Sequence, residues 1–295
     1  MVKEKYCKIN FRKIELLSQL LVDDENKKLI EAAEENDIQF RVVENINKII
    51  GDEKKSGFII VSIALVSYML STKGELHWKM LEDFVSENKK KDISKTIQEF
   101  VLNSSSLRLY RNGRVKRLKK IIDFFLPVYL RKYSIYKEDI RELIRDLSHV
   151  LKAPKNSKTI IFAAKMFYYH LRVLYEKHAP PLDIPIPVDY RISLISVSNG
   201  LILLNGNMRT IREKALYARQ YCDDEIRKAW KIIAEKTKIP SIRLDSLLWV
   251  LGKCMDAEIG NKMECIEETL NIKISEKQKR FLEEILGLKL DKGKN

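Results

Sequence analysis

From residue 157 to 177 the chain reads SKTIIFAAKMFYYHLRVLYEK, apolar at most positions before Arg172. At about 3.6 residues per turn, Lys158, Phe162, Lys165 and Tyr169 fall on one stripe of a helix, flanked by Ile161, Ala164, Met166 and Leu171. Two ammonium groups on a mostly apolar helix are costly to desolvate unless each has a partner or a task. Lysine stems that reach out to water are the other reading of the same pattern. Helical spacing recurs along the rest of the chain. Residues 10–50 read as two helices, the second near 26–48 and interrupted at ENDIQFR. GFIIVSIALVSYML (57–70) is apolar all round and predicts a helix buried in a core. It is shorter than the about 20 residues needed to span a bilayer. A TKGE turn leads into a helix carrying LHWKMLEDFV. NKKKDISKTIQEFVLNSSS then predicts a charged turn, a helix capped near Asp92 and a serine-rich stop.

The next stretch, RLYRNGRVKRLKKII (108–122), is the most basic, and Asn112-Gly113 predicts a break in it. KEDIRELIRDLSH (137–149) places Ile140, Leu143, Ile144 and Leu147 on one helical face. VLKAPKN makes a tight connection, and Ser157 is the expected N-cap of the helix that follows. The result is a helix, a short hairpin and a second helix. HAPPLDIPIPVDYR (178–191), with prolines at 180, 181, 185 and 187, predicts a stiff extended segment. Asp189 ends it, in position to cap the next helix. Further helices are predicted near 207–221, 223–237, 241–254, 257–270 and 275–287, and no internal repeat or low-complexity tract is present.

Composition narrows the class. With 295 residues, 45% hydrophobic, 33% charged, 10 Gly and 7 Pro, the chain is expected to be all-α, as one large domain or two smaller ones. The 55 Lys+Arg against 41 Asp+Glu leave a formal net charge of +14. That surplus favours a polyanionic partner, nucleic acid or an anionic membrane surface. A thermophile's charge-rich surface explains abundant charges of both signs but not their imbalance. The basic segment suits phosphate contacts or a solvated helix face. The start, MVKEKYCKINFRK, is too polar for a signal peptide. Cys7, Cys222, Cys254 and Cys265 are scattered and suggest no disulfide framework, zinc site or iron–sulfur loop. His77, His149, His170 and His178 form no ligand pattern either. A cytosolic, metal-free protein is the default expectation.

Candidate chemistry gathers around the hairpin. A helix starting at Ser157 puts Lys158 in its first turn, near the positive end of the macrodipole. That position and partial burial disfavour the ammonium form, and a neutral amine is a nucleophile able to form a Schiff base. Asp189, as an N-cap, accepts backbone N–H bonds that favour its ionised form. An amine and a fixed carboxylate suit a reaction that builds positive charge on a sugar ring and then captures it.

Lys158 and Asp189, across a hairpin and a Pro-rich loop, resemble the active-site pair of the helix-hairpin-helix DNA glycosylases. SKTIIFAAKM with IPIPVDYR, the upstream ELHWKMLEDF and the downstream LDSLLWVLG resemble the archaeal 8-oxoguanine DNA glycosylases, the AGOG family, from about Gln39 to Trp249. The resemblance implies Lys158 as the Schiff-base nucleophile and Asp189 as the carboxylate that assists it. It implies Phe162 and Trp249 as the aromatic plates on the two faces of an extruded base. Gln39, Lys165, Pro187 and Asp245 are implied as contacts to the base edge, with Trp78 and Ser67 in the pocket wall. Telling 8-oxoguanine from guanine requires sensing its N7–H and C8 oxygen, which an amide and backbone carbonyls can read. Lys165 is expected to pair with a pocket carboxylate, Asp245 first, or with a base acceptor. The hairpin LKAPKNSK lacks the glycine found in many such motifs, which fits the atypical hairpin of this family.

The resulting expectation is an all-α fold of two helical subdomains, with an atypical helix-hairpin-helix motif and the base pocket in the cleft between them. Residues 1–56 plus 190–295 are expected to form one subdomain and 57–189 the other, the motif and its Pro-rich loop covering about 137–190. The expected activity is that of a bifunctional DNA glycosylase and abasic-site lyase acting on 8-oxoguanine in base excision repair, with no cofactor and no metal. Expected partners are double- and single-stranded DNA carrying that lesion, with phosphates held by Arg114, Lys116 and Arg117. A monomer in the cytoplasm of an archaeal cell, nucleoid-associated and without a membrane partner, completes the picture. The rival is a helical nucleic-acid-binding protein with no chemistry, in which Lys158 only contacts phosphate.

Overall fold

Among the described residues, six helices start at an aspartate whose carboxylate accepts a first-turn backbone N–H: Asp23, Asp37, Asp52, Asp92, Asp139 and Asp189. Each satisfies a donor that the helix itself leaves open. The computed structural model describes residues 7–176, 178–205, 208–255 and 262–288. In chain order these form β1 (Cys7–Ile9), α1 (Phe11–Leu21), α2 (Asp24–Glu35), α3 (Ile38–Ile50), α4 (Glu53–Val66), α5 (Gly74–Glu87) and α6 (Ile93–Asn103). There follow α7 (Arg111–Lys120), α8 (Leu126–Glu138), α9 (Ile140–Leu151), α10 (Lys158–Leu174) and α11 (Tyr190–Ser198). The last elements are β2 (Ile202–Leu204), α12 (Ile211–Tyr221), α13 (Asp223–Thr237), α14 (Ser241–Met255), α15 (Lys262–Leu270) and α16 (Glu276–Leu286). Residue 207 and residues 257–261, where two of the expected helices begin, lie outside the described residues.

The chain divides into two units, Met1–Asn36 with Leu182–Asn295, and Asp37–Pro181. The expected boundaries therefore shift. Residues 37–56 belong to the second unit because α3 turns Val42, Val43 and Ile46 inward and packs on α5 and α10. Residues 182–189 belong to the first, where Ile186 and Val188 enter its core.

In the second unit α4 is the central helix, with every residue from Ser56 to Val66 buried, and α10 packs along it. Around them Phe58, Phe125, Tyr129, Tyr133, Tyr136 and Phe167 form an aromatic core. Three findings differ from the sequence reading. The stretch 10–50 holds three helices, because Asp37 in ENDIQFR caps a new one. Asn112-Gly113 does not break α7, since both lie in its first turn, where intrahelical N–H bonds are absent anyway. A π-helical turn (Ile121–Phe125) joins α7 to α8, a helix the sequence pattern did not reveal.

The first unit is built on a core drawn from α1, α2 and α11 to α16. β1 and β2 pair antiparallel, with Cys7 opposite Leu204 and Ile9 opposite Ile202, a small exception to an otherwise helical fold. The expectation of no disulfide framework is overturned. Cys7 bonds to Cys222 and Cys254 to Cys265, so no described cysteine is free. The β1–β2 pairing carries Cys7 to the end of α12, a meeting 215 residues apart in sequence that no local spacing announces.

Candidate active site

The residues singled out from the sequence fall on both units. In the second unit α9 ends on Lys152, which takes the left-handed conformation (φ 51°) usually given to glycine. The hairpin is closed by Ala153 N–H to Ser148 O (3.1 Å), by Ser148 Oγ donating to Ala153 O (2.6 Å) and by Ser157 N–H to Pro154 O (2.9 Å). A glycine is thus replaced by a lysine plus a serine clamp. Ser157 occupies the N-cap of α10 with extended backbone, and its hydroxyl makes no capping bond.

Lys158 is the first residue of α10 and is exposed. The residue after it, Thr159, accepts a hydrogen bond from the Arg117 guanidinium at 2.7 Å. One turn on, Phe162 is half-buried and meets Trp78 edge-on, ring centroids 6.2 Å apart. Two turns in, Lys165 is 2% exposed and its Nζ lies 3.8 Å from Asp37 Oδ2. Tyr169, the last residue of the stripe, donates its hydroxyl to the same oxygen at 2.9 Å. The other oxygen, Asp37 Oδ1, accepts the backbone N–H of Gln39 at 2.9 Å, and Gln39 is itself buried. Asp245, the partner first expected for Lys165, belongs to the other unit.

Ser67 closes α4 and donates to Ile63 O (2.7 Å). Its only proton is then used, so it accepts from Nε2 of His77 at 2.8 Å. Burial pushes His77 down to about 4, so the ring is neutral near pH 7. Its Nδ1 accepts from Ser106 Oγ (2.7 Å), which is linked to Ser104 Oγ (2.6 Å). This chain of hydroxyls fixes the loop after α4 and the tautomer of the histidine next to Trp78.

Arg114, expected on phosphate, is turned inward and fully buried. Its guanidinium donates to the carbonyls of Val66 (3.0 Å), Leu107 (3.2 Å), Met69 (3.1 Å) and Tyr68. Buried carbonyls past the end of α4 need donors, and one planar five-donor side chain supplies them. Arg114 is therefore a structural clamp. Lys116 is exposed, and Arg117 is half-buried, its guanidinium above the Tyr68 ring at 5.8 Å.

In the first unit the Pro-rich segment turns at residues 182–184, buries Pro187 and ends at Asp189, so it is not extended throughout. Asp189 Oδ1 accepts the N–H of Ile192 at 3.0 Å, and Ser193 Oγ donates to Asp189 O at 2.8 Å. Two residues on, the Arg191 guanidinium stacks over the Trp249 indole at 4.1 Å. Trp249 is half-buried on α14, with buried Asp245 one turn before it. Gly252 lies one turn after, and a Cβ there would sit 2.5 Å from Arg191 Cβ. The glycine is what lets α11 and α14 approach closely enough for Arg191 to cover the indole.

The sequence reading gave no role to Asp37, Tyr169, His77 or Arg191. ENDIQFR reads as an interruption, and the signal it held for Asp37 is only that aspartate is a residue type that caps helices; Tyr169 stands in the sequence as the fourth member of the α10 stripe. His77 and Arg191 carried no such signal, because both act through contacts distant in sequence. Among the described residues no three His, Cys, Asp or Glu side chains are grouped to hold a metal ion. No described helix is long and apolar enough to cross a membrane.

A helix-hairpin-helix whose second helix opens on an exposed lysine, followed by a Pro-rich segment ending on a helix-capping aspartate, resembles the arrangement of the helix-hairpin-helix DNA glycosylases. Within that class, the AGOG family, described as N-glycosylase/DNA lyase, matches residues 21–284, and the chain belongs to it. Relatives named N-glycosylase/DNA lyase include those of Thermococcus kodakarensis and Pyrobaculum aerophilum. The first is 29% identical over 290 residues, covering 96% of this chain and 98% of the relative. The second is 31% identical over 245 residues, 83% and 86% respectively. Among solved structures, the 8-oxoguanosine complex of the Pyrobaculum aerophilum 8-oxoguanine DNA glycosylase superposes with a TM-score of 0.69 at 27% identity, over 93% of this chain and 95% of that one. This chain is thus an enzyme, a DNA N-glycosylase and lyase.

Proposed function

We propose that the enzyme removes 8-oxoguanine from DNA through a covalent intermediate on Lys158 and then cuts the strand. The observation that carries this reading is the likeness, over nearly the whole chain, to a family member solved with 8-oxoguanosine. The Lys158 amine attacks C1′ as the bond from C1′ to the base breaks, and the electron pair leaves with the base. The Asp189 carboxylate, held by its helix cap, stabilises the positive charge that develops on the sugar. Loss of the amine proton and opening of the sugar give the imine. Removal of a C2′ proton then expels the 3′ phosphate, a β-elimination. The lysine supplies the electrophilic sink, so the sequence of steps calls for no cofactor.

Phe162 and Trp249 each offer a ring to the base, and Gln39, Lys165, Pro187 and Asp245 its edge contacts, with Trp78 and Ser67 behind them. Lys116 and Arg117 supply part of the phosphate grip, and Arg114 is withdrawn from that role. Single- and double-stranded DNA bearing the lesion are the proposed substrates. The proposed acting species is a monomer, DNA-bound in an archaeal cell.

Borohydride reduction tests the chemistry directly. Wild-type protein is expected to be trapped on 8-oxoguanine duplex, while Lys158→Gln loses both trapping and strand cleavage and keeps its melting temperature. Trapping of Lys158→Gln at the wild-type level would assign the nucleophile to another amine. Binding of the duplex without any cleavage by the wild type would favour the non-catalytic reading.

A further inference from the structure

Asp37 and Lys165 are both almost wholly buried, with side chains 4% and 2% exposed. Burying two charges costs several kcal/mol each before their attraction is counted, and a pair of apolar residues would often be as stable. Stability alone therefore explains this pair poorly. The geometry of Asp37 suggests a task, because its two oxygens serve two different elements. Oδ1 holds the first-turn N–H of Gln39 and so fixes where α3 begins. Oδ2 receives the Tyr169 hydroxyl at 2.9 Å and faces Lys165 Nζ at 3.8 Å, two residues one turn apart on α10.

The phenol is itself held. Its ring meets Phe40 edge-on at 5.2 Å, and Lys165 Nζ lies 5.2 Å from its centroid. Arg172 covers the Phe40 ring at 5.2 Å. The rings and charges on α3 and α10 thus interlock around one carboxylate. The two residues whose relative placement this fixes, Gln39 and Lys165, are those in this unit assigned to the base edge.

We propose that Asp37 and Tyr169 are positioning residues for base recognition, setting Gln39 and Lys165 in one geometry that reads the edge of the extruded purine. The inference rests on the 8-oxoguanine reading above. It distinguishes the two halves of the reaction. Release of the base needs its edge to be read, whereas elimination at a site that has already lost its base needs only the amine and the sugar.

The test compares, in one duplex sequence, single-turnover release of 8-oxoguanine with strand cleavage at a preformed abasic site. Asp37→Asn keeps a side chain that caps helices as well as aspartate but removes the charge. Its base release is expected to fall about a hundredfold, the size of effect that a small misplacement produces. Tyr169→Phe deletes one hydroxyl and is expected to cost about tenfold in the same step. Abasic-site cleavage by both is expected to stay within about twofold of wild type. The double variant is expected to be no slower than Asp37→Asn, because both changes break one network. Should Asp37→Asn fail to fold, the ratio of the two activities in Tyr169→Phe decides alone. A parallel fall in both activities would make these residues merely structural and overturn the proposal. Wild-type ratios in the variants would overturn it as well. A wild-type protein that leaves 8-oxoguanine in place but cleaves abasic sites would instead overturn the substrate reading, and the inference with it.

Discussion

Asp189 accepts the Ile192 N–H at 3.0 Å, and asparagine in its place can accept the same bond, since the two rank together at N-caps. Asp189→Asn is therefore expected to melt within a degree or two of wild type. Base release should nevertheless drop by about a hundredfold or more, because the lost charge matters only when the sugar becomes cationic. Single-turnover kinetics beside a thermal melt separate the two roles. Equal excision rates would reduce Asp189 to a cap. Arg114 shows the opposite division of labour. Its guanidinium satisfies four backbone carbonyls around the loop that carries Ser67. Arg114→Met keeps the bulk and removes the donors, so the cost is expected to be about 3 kcal/mol or more in a urea unfolding series. A variant with wild-type stability and weakened, salt-sensitive DNA binding would return Arg114 to the phosphate grip. A net surplus of basic residues on a segment could not distinguish these cases, since burial of one arginine depends on carbonyls more than forty positions away.

At the level of elements, α4 and α10 meet where Gly57 faces Tyr129 and His170. A Cβ at 57 would fall inside contact distance of Tyr129 Oη and 2.8 Å from His170 Nε2. Gly57→Ala, which an isolated helix would welcome, is instead expected to destabilise the second unit by about 1–3 kcal/mol through overpacking. The denaturant midpoint measures it, and a rise would show that the aromatic core yields. These two helices were also the most legible parts of the chain, since a run that is apolar all round, or nearly so, leaves little choice but a core position. The Asp189 cap and the hairpin before Lys158 were legible for a similar local reason. What stayed hidden depended on distant partners or on broken periodicity. The π-helical turn at 121–125 shifts the register between α7 and α8, so one repeat does not run through both. The start of α3 at Asp37 looked like an interruption because its neighbours on both sides are helical. The Arg191–Trp249 stack needs Gly252, on a different helix from the arginine, and no spacing connects the three.

On the scale of the whole molecule, pH and covalent connectivity add what no single element shows. His77 and His170 are held below their ordinary value of 6.5, at about 4 and about 3, both chiefly by burial. The unfolded chain takes up protons on these rings at a pH where the folded one cannot. Their contribution to stability is therefore complete above 6.5 and is lost as pH falls through that value toward 4 and below. Urea midpoints at pH 7 and pH 5 are expected to differ accordingly, the lower pH being less stable, and equal midpoints would mean that the rings become hydrated. The Cys7–Cys222 bond has a consequence of a different kind. It ties a residue near the beginning of the chain to one 215 positions later, and the whole stretch Asp37–Pro181 lies inside that span. In the oxidised protein the second unit is a bead threaded on a closed loop rather than a segment strung on an open line. A single backbone nick anywhere from 8 to 221 then opens the loop without producing two molecules, so the unit bearing Lys158 stays leashed to the one bearing Asp189 even after its peptide link has been severed.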